Sequence, residues 1–498
     1  MFVVRGLVVL RRTLIAATIV ALVLSAGTLD GCAPRKPVPS VVHSYQISGA
    51  VWPMAPEAMV SPDRKWVLTM RSLPSGLSLV CLPTTSEANQ PLVVAEADAA
   101  WLKDRLFGYF PLGWTDAGAA LFATSGWQNV GSHKGEYGVG VWEVTPGSGP
   151  SRELGFLPLS QGLVQAAYYV KERGKVYFHV PQYIWEFDLE QRTMRQVKGG
   201  LPVYDGLFYP RLSPTGEYFA YDIYEEDRAG VCLLDVATGQ EKVLLDVGDS
   251  LSFYPSWSPD GKYIACYTVP RKPESNTGTW EDYEILPAED GPQPVAPAIT
   301  VVDTQGNLVQ TITVKGKLLG GFKWAQDSKA LGFAVRVRKE GDLPTISVES
   351  VFLATLGDRR DLVELGKVAQ TSQGEPGYVL IHSCRGSSMD MLFEAWSEKG
   401  PELIYIQQGK QPVRMAGSLT APGIVPICGD SMVSLVQQDD KVGVWQFGGE
   451  GAHKVVDLSG GEAWVVGLDR GMMVVASGNV VPLDKEAVRS VLVVHLAP

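Results

Sequence analysis

The chain has 498 residues and carries 54 acidic against 43 basic side chains, a formal net charge of -11; without residues 1–31, which hold three Arg and one Asp, the charge is -13. So acidic a body argues against nucleic acid as a partner and against broad adhesion to anionic headgroups. With 45% hydrophobic residues and 53 Gly against 33 Pro, it buries a large core while turning often, which favours an all-β class.

Arg5, Arg11 and Arg12 precede an apolar run from Leu14 to Leu24 that Ser25, Gly27 and Asp30 break, the layout of a secretory signal. The run of about ten to fourteen residues is short of the roughly twenty needed to cross a bilayer core as a helix. Leu29-Asp30-Gly31-Cys32 follows and resembles the bacterial lipobox, in which a Leu three positions before and a small residue just before a Cys mark it for diacylation. Asp30 departs from that pattern, which prefers a small uncharged residue there. The resemblance implies a signal peptide over residues 1–31, lipid on Cys32, and a Pro-rich extended tether over residues 32–42. Arg11-Arg12-Thr13-Leu14-Ile15 also loosely resembles a twin-arginine export signal. The expected location is the outer surface of the bacterial cytoplasmic membrane, or the periplasm.

From residue 60 onward a repeat sets the fold class. Its clearest copies are Tyr254-Pro255-Ser256-Trp257-Ser258-Pro259-Asp260-Gly261-Lys262-Tyr263-Ile264-Ala265 and Tyr209-Pro210-Arg211-Leu212-Ser213-Pro214-Thr215-Gly216-Glu217-Tyr218-Phe219-Ala220. Weaker copies begin at Val60, Phe110 and Phe322. The landmarks Ser61, Thr115, Ser213, Ser258 and Ala325 lie 54, 98, 45 and 67 residues apart, and 98 is two units of about 49. Pro fixes φ at the second turn position, Asp or Thr bonds back to the backbone, and Gly supplies the positive φ that closes a hairpin. Third strands follow, such as 229–236 and 299–303, each ending in a polar turn. Four strands per 40 to 50 residues are the pattern of β-propeller blades.

The Ser-Pro-Asp-Gly-Lys hairpin after an aromatic-Pro pair resembles the repeat of TolB-like propellers, periplasmic and extracytoplasmic relatives of WD-repeat rings. Two copies match closely and three loosely. The resemblance implies architecture and says little of activity. Blades are expected near 54–98, 106–156, 160–198, 204–247, 251–315, 318–368, 374–417 and 420–458, so a propeller domain over residues 43–498 of about eight four-stranded blades. A strand near 43–51 and strands near 463–468, 471–476 and 490–495 are left over, suited to closing the ring by pairing the chain ends.

Catalytic patterns are missing. No Gly-x-Ser-x-Gly elbow exists, and the six His, at 43, 133, 179, 382, 453 and 495, have no metal-ligand spacing. His179, His382 and His495 read as strand residues. Cys81, Cys232, Cys266, Cys384 and Cys428 show no paired spacing and read mostly as small core hydrophobes. No cofactor, no metal and no enzymatic activity are expected.

The connections between second and third strands look enlarged at 125–138, 221–230, 269–297 and 338–346. In a propeller they emerge on the face of the between-blade connections, opposite the Ser-Pro-Asp-Gly turns. They carry Trp127, His133, Tyr137, Tyr224, Glu225, Glu226, Asp227, Trp280, Glu281, Asp282 and Tyr283, aromatics beside carboxylates on positioned loops. The leading expectation is a membrane-anchored module that binds an envelope protein or peptide through this rim. The alternatives are a carbohydrate-active or hydrolytic propeller enzyme using the same acidic and aromatic residues, and an accessory subunit or sensor of an envelope transport system.

Overall fold

Each of the five repeats closes a hairpin in the computed structural model. The model describes residues 39–496 except 49, 53–57, 88–89, 104, 106, 130, 161, 202–209, 226–227, 247–249, 271–297, 314–316, 339–346, 357–360, 372–378, 398–399, 420–424, 426, 429–430, 440, 449–450, 459–460, 470 and 479–487. Ser258 N donates to Tyr263 O, and Gly261 N to Ser258 O, both at 2.9 Å. The Ser258 hydroxyl accepts from Tyr263 N at 3.0 Å and donates to Asp260 Oδ1 at 2.7 Å. Ser61 and Ser213 close their turns with the same backbone pair. The fourth turn position is left-handed throughout: Gly118, Gly216 and Gly261 at φ 79°, 69° and 71°, but Arg64 and Ser328 at 58° and 59° in the degenerate copies.

The eight expected spans are eight antiparallel sheets, running 50–98, 107–158, 166–199, 211–246, 250–313, 317–371, 379–416 and 418–458. Each runs in chain order from its innermost strand outward. In the eighth the inner strand comes in two pieces, Ser418–Leu419 and Ile427–Cys428. The leftover strands form a complete further blade: Glu462–Asp469, Met472–Gly478 and Val488–His495, with Ser40–Ser48 as its outer strand. The expectation of eight blades is therefore corrected to nine among the described residues. The ninth has no Ser-Pro-Asp-Gly turn, and its fourth strand is supplied from the other end of the chain. That strand starts at Ser40, inside the stretch expected to be tether.

Burial sorts the strands. Third strands such as Tyr137–Val144 are covered by a blade on each side, whereas outer strands such as Arg152–Pro158 alternate exposed and covered residues. Neighbouring blades share apolar clusters. One joins the closing blade to the first two through Ile47, Val67, Phe122 and Val474, and another joins it to the eighth through Val433 and Val475. A repeated indole bond adds direction. The Trp just before a turn donates Nε1–H to a carbonyl of the preceding blade: Trp114 to Met59 at 2.7 Å, Trp257 to Arg211 at 2.9 Å, Trp324 to Ser256 at 3.0 Å. The three acceptors sit two residues before their own blade's landmark, so the bond is a repeat feature.

The two faces are assigned by register. Met472, just after the first turn of the closing blade, pairs with His495, and His495 pairs with Ser40. The described chain therefore enters on the turn face, and the opposite face carries the loops. Among the described residues no helix is long and apolar enough to cross a membrane.

Candidate binding face

The second blade builds the best-defined part of the loop face. Its second strand ends at Trp127 and its third begins at Tyr137, paired directly across the sheet. The two rings meet edge-on at 5.6 Å and 75°, and Trp127 stays 40% exposed. The Tyr137 hydroxyl, raised above its ordinary pKa by burial, donates to Gly162 O at 2.9 Å.

The loop between them is fixed from below. Gln128 is fully buried; its amide donates to the Gly126 and Gly138 carbonyls at 3.0 Å and accepts from the Thr124 hydroxyl. Gln128 N donates to Glu136 O at 2.8 Å, which closes the base of the loop. His133 lies flat on Phe156, centroids 4.1 Å apart, with Nδ1 3.2 Å from Glu136 and Nε2 3.4 Å from Glu153. Ser132 also donates to Glu153. A loop held by this many bonds presents its aromatic residues with little freedom left to lose on binding.

Trp127 and Tyr137 thus meet, and His133 lies on the loop between them against Phe156. The segment 221–230 differs from expectation. Tyr224 and Glu225 belong to the strand Tyr218–Glu225, and Glu225 pairs with Arg228 at the start of Arg228–Asp235. Only two residues separate this last pair, so the connection is shorter than expected, and the charged residues had given strand ends the look of a loop. Glu226, Asp227, Trp280, Glu281, Asp282 and Tyr283 lie outside the described residues, as does Cys32.

Three aromatics on this face escape the sequence reading. Trp101 sits on the short helix Ala99–Leu102 between the first two blades, meeting Phe107 edge-on at 5.1 Å. Tyr183 follows the tight Pro181-Gln182 turn of the third blade and is 39% exposed. The face rule itself could have found them, since between-blade connections emerge beside the loops.

The remaining histidines lie in strands. His179 is buried and its imidazole is pushed down to about 4 by that burial. His382 is buried 3.3 Å from Glu394, whose Oε2 also accepts from Leu419 N of the next blade. His495 ends the third strand of the closing blade, exposed. Cys81, Cys232, Cys266 and Cys384 are free and buried. Among the described residues no three His, Cys, Asp or Glu are grouped to hold a metal ion.

Fold and faces define a β-propeller of four-stranded blades closed by its chain ends. No protein-family model matches the chain, and no curated protein matches it. Solved structures do. The chain is similar to a putative TolB from Agrobacterium tumefaciens, with 14% identity over 56% of this chain and 86% of that one, at a TM-score of 0.26. It is similar to an oligogalacturonate lyase solved with manganese, with 12% identity over 90% and 98% of the two chains, at a TM-score of 0.34. A prolyl endopeptidase matches with 13% identity over 66% of this chain at a TM-score of 0.38, and the chain spans 50% of that protein's length.

Proposed function

We propose that this protein is an extracytoplasmic propeller, held at the bacterial membrane by lipid on Cys32, that binds a protein or peptide of the cell envelope through its loop face. The reading rests on one observation above others: Trp127, an exposed indole, is braced against Tyr137 at the mouth of a loop tied down from beneath. Rigid, partly exposed aromatics are the residues that dominate binding energy at interfaces. Chain entry at Ser40 on the turn face, opposite the loops, agrees with the same reading. The rim residues Tyr224, Glu225, Glu226, Asp227, Trp280, Glu281, Asp282 and Tyr283 belong to this proposed surface.

Two variants of the full chain separate anchor from site. Cys32→Ala moves the protein out of the membrane fraction while partner capture persists. Trp127→Ala leaves it at the membrane and weakens capture by about 2 kcal/mol. Capture that ignores Trp127→Ala overturns the reading. So does turnover of a glycan or peptide that Glu225→Gln, Glu226→Gln or Asp282→Asn abolishes without loss of affinity, since a carboxylate acid or base acts in the transition state.

A further inference from the structure

His133 is held between two carboxylates that come from different elements. Glu136, on its own loop, places Oε2 3.2 Å from Nδ1, and Glu153, on the outer strand Arg152–Pro158, places Oε1 3.4 Å from Nε2. The ring lies nearly parallel to that of Phe156, at 12° and 4.1 Å. Two glycines make room for this arrangement. A Cβ on Gly131, which stands at φ 77°, would lie 2.2 Å from the Trp142 ring and 2.3 Å from the Glu153 carboxylate, and one on Gly138 would lie 2.6 Å from the Phe156 ring. The sequence thus lets the loop fold back onto the outer half of its own blade.

The rest of the loop is tied to the same anchors. Ser132 N donates to Glu153 Oε2 at 3.2 Å, and the Ser132 hydroxyl lies 3.1 Å from both oxygens of that carboxylate. Glu136 N donates to His133 O and Gly135 N to Gln128 O, both at 2.9 Å. Trp127 ends the strand before this loop and Tyr137 begins the strand after it, so what steadies the loop steadies both rings.

Charge decides how firmly the imidazole is held. A neutral ring carries one N–H, so in either tautomer it turns a lone pair toward one of the two carboxylates; the imidazolium carries two N–H groups and a charge that attracts both. The Nδ1 contact lacks the alignment of a hydrogen bond and is chiefly one of charge with charge. The other charged groups nearby are exposed Lys134, Arg152, which is paired with Glu143, and Glu96 of the first blade, whose main-chain O accepts from Asn129 Nδ2 at 2.7 Å. Among the described residues no Lys or Arg pairs with Glu136 or Glu153.

Resting on the binding-module reading and adding its regulation, we infer that His133 is a positioning residue whose protonation closes this loop onto the outer strand, steadies Trp127 and Tyr137, and makes partner capture tighter in mildly acid surroundings than in neutral ones. The closed loop binds the proton better than the open one, so by linkage a lower pH favours closure.

The test compares the full-length protein at about pH 7.5 and about pH 5.5, the interval in which imidazole gains its proton. Hydrogen–deuterium exchange is followed at the Ser132, Gly135 and Glu136 amides and corrected for the intrinsic effect of pH. Protection rises by about fivefold at the lower pH, the size of two partly exposed charge pairs, and capture of the partner tightens by about the same factor. His133→Gln keeps a planar polar group over Phe156 that cannot take a charge, and it removes both pH dependences. Protection equal at the two pH values, or a pH dependence that survives in His133→Gln, overturns the inference. If protection follows pH as expected while capture ignores Trp127→Ala, the binding-module reading fails and the loop closure stands. If capture falls with Trp127→Ala while protection ignores pH, that reading stands and this inference alone fails.

Discussion

At the scale of single residues, two buried titratable groups make stability depend on pH in opposite senses. Burial pushes the Asp222 carboxyl up to about 7, although the N–H of Tyr254 and the Arg211 charge both pull it down. From about pH 4 to 7 the folded protein therefore keeps a proton that the unfolded chain has lost, and stability falls as pH rises. His179, pushed down to about 4, is the reverse: the unfolded chain gains a proton between about pH 6.5 and 4 that the folded protein refuses, so stability falls as pH drops. In the shared window the slopes oppose each other, each on the order of 3 kcal/mol in total. Asp222→Asn keeps an acceptor for Tyr254 N and removes one slope. The variant should be more stable than the wild type at about pH 8 by on the order of 3 kcal/mol, an advantage gone by about pH 4. Urea unfolding at the two pH values measures this, and a difference that does not change with pH contradicts it.

At the scale of strands and turns, the indole bonds and the edges explain how blades stay in order. Trp114 and Trp257 make the same bond in different surroundings: Trp114 is 4% exposed, whereas the Trp257 bond lies at the surface. Losing a buried bond costs about 1 to 2 kcal/mol, and water replaces one lost at the surface. Trp114→Phe should therefore lower the melting temperature clearly more than Trp257→Phe, and equal effects would show that the bond is not what matters. Outer strands raise a different problem, since an unpaired strand edge invites pairing with another chain. Eight of the nine break register against their neighbour with a bulge, and the ninth, Val413–Ala416, has only four residues. Bulges twist an edge away from further pairing.

Five of the first eight blades are legible because their turns are local chemistry, at its clearest a Ser that bonds forward, a Pro, an Asp or Thr and a left-handed fourth residue, and the other three follow from the spacing of strands between and after them. The four strands of the closing blade and the pairing of the chain ends are expected from the sequence, but not counted as a blade of their own, since the inner turn after Asp469 has neither the Ser nor the Pro and the outer strand lies more than four hundred positions away in the chain. Local pattern supplies the strands, and the need to hide the edges of a ring supplies their pairing. The limit of local pattern shows at the candidate site. Trp127 and Tyr137 flank a loop long enough to notice, whereas Tyr183 follows a turn of two residues, and Tyr224 and Glu225 carry loop-like chemistry on a strand.

At the scale of the molecule, closure and polarity are one fact. The strand Ser40–Ser48 seals the closing blade, whose apolar residues run into the first, second and eighth blades, so the chain ends stabilise the fold together. That same strand starts on the turn face, opposite Trp127 and Tyr137. The central claim is that the partner meets the loop face. Photo-crosslinking in intact cells tests it most directly, with a photoreactive phenylalanine placed in turn at Trp127 and Tyr183 on the loop face, and at Ser148 and Thr215, exposed residues of the turn face. The account predicts one shared crosslinked species from positions 127 and 183 and none from 148 and 215. Crosslinks from 148 and 215 alone would contradict it.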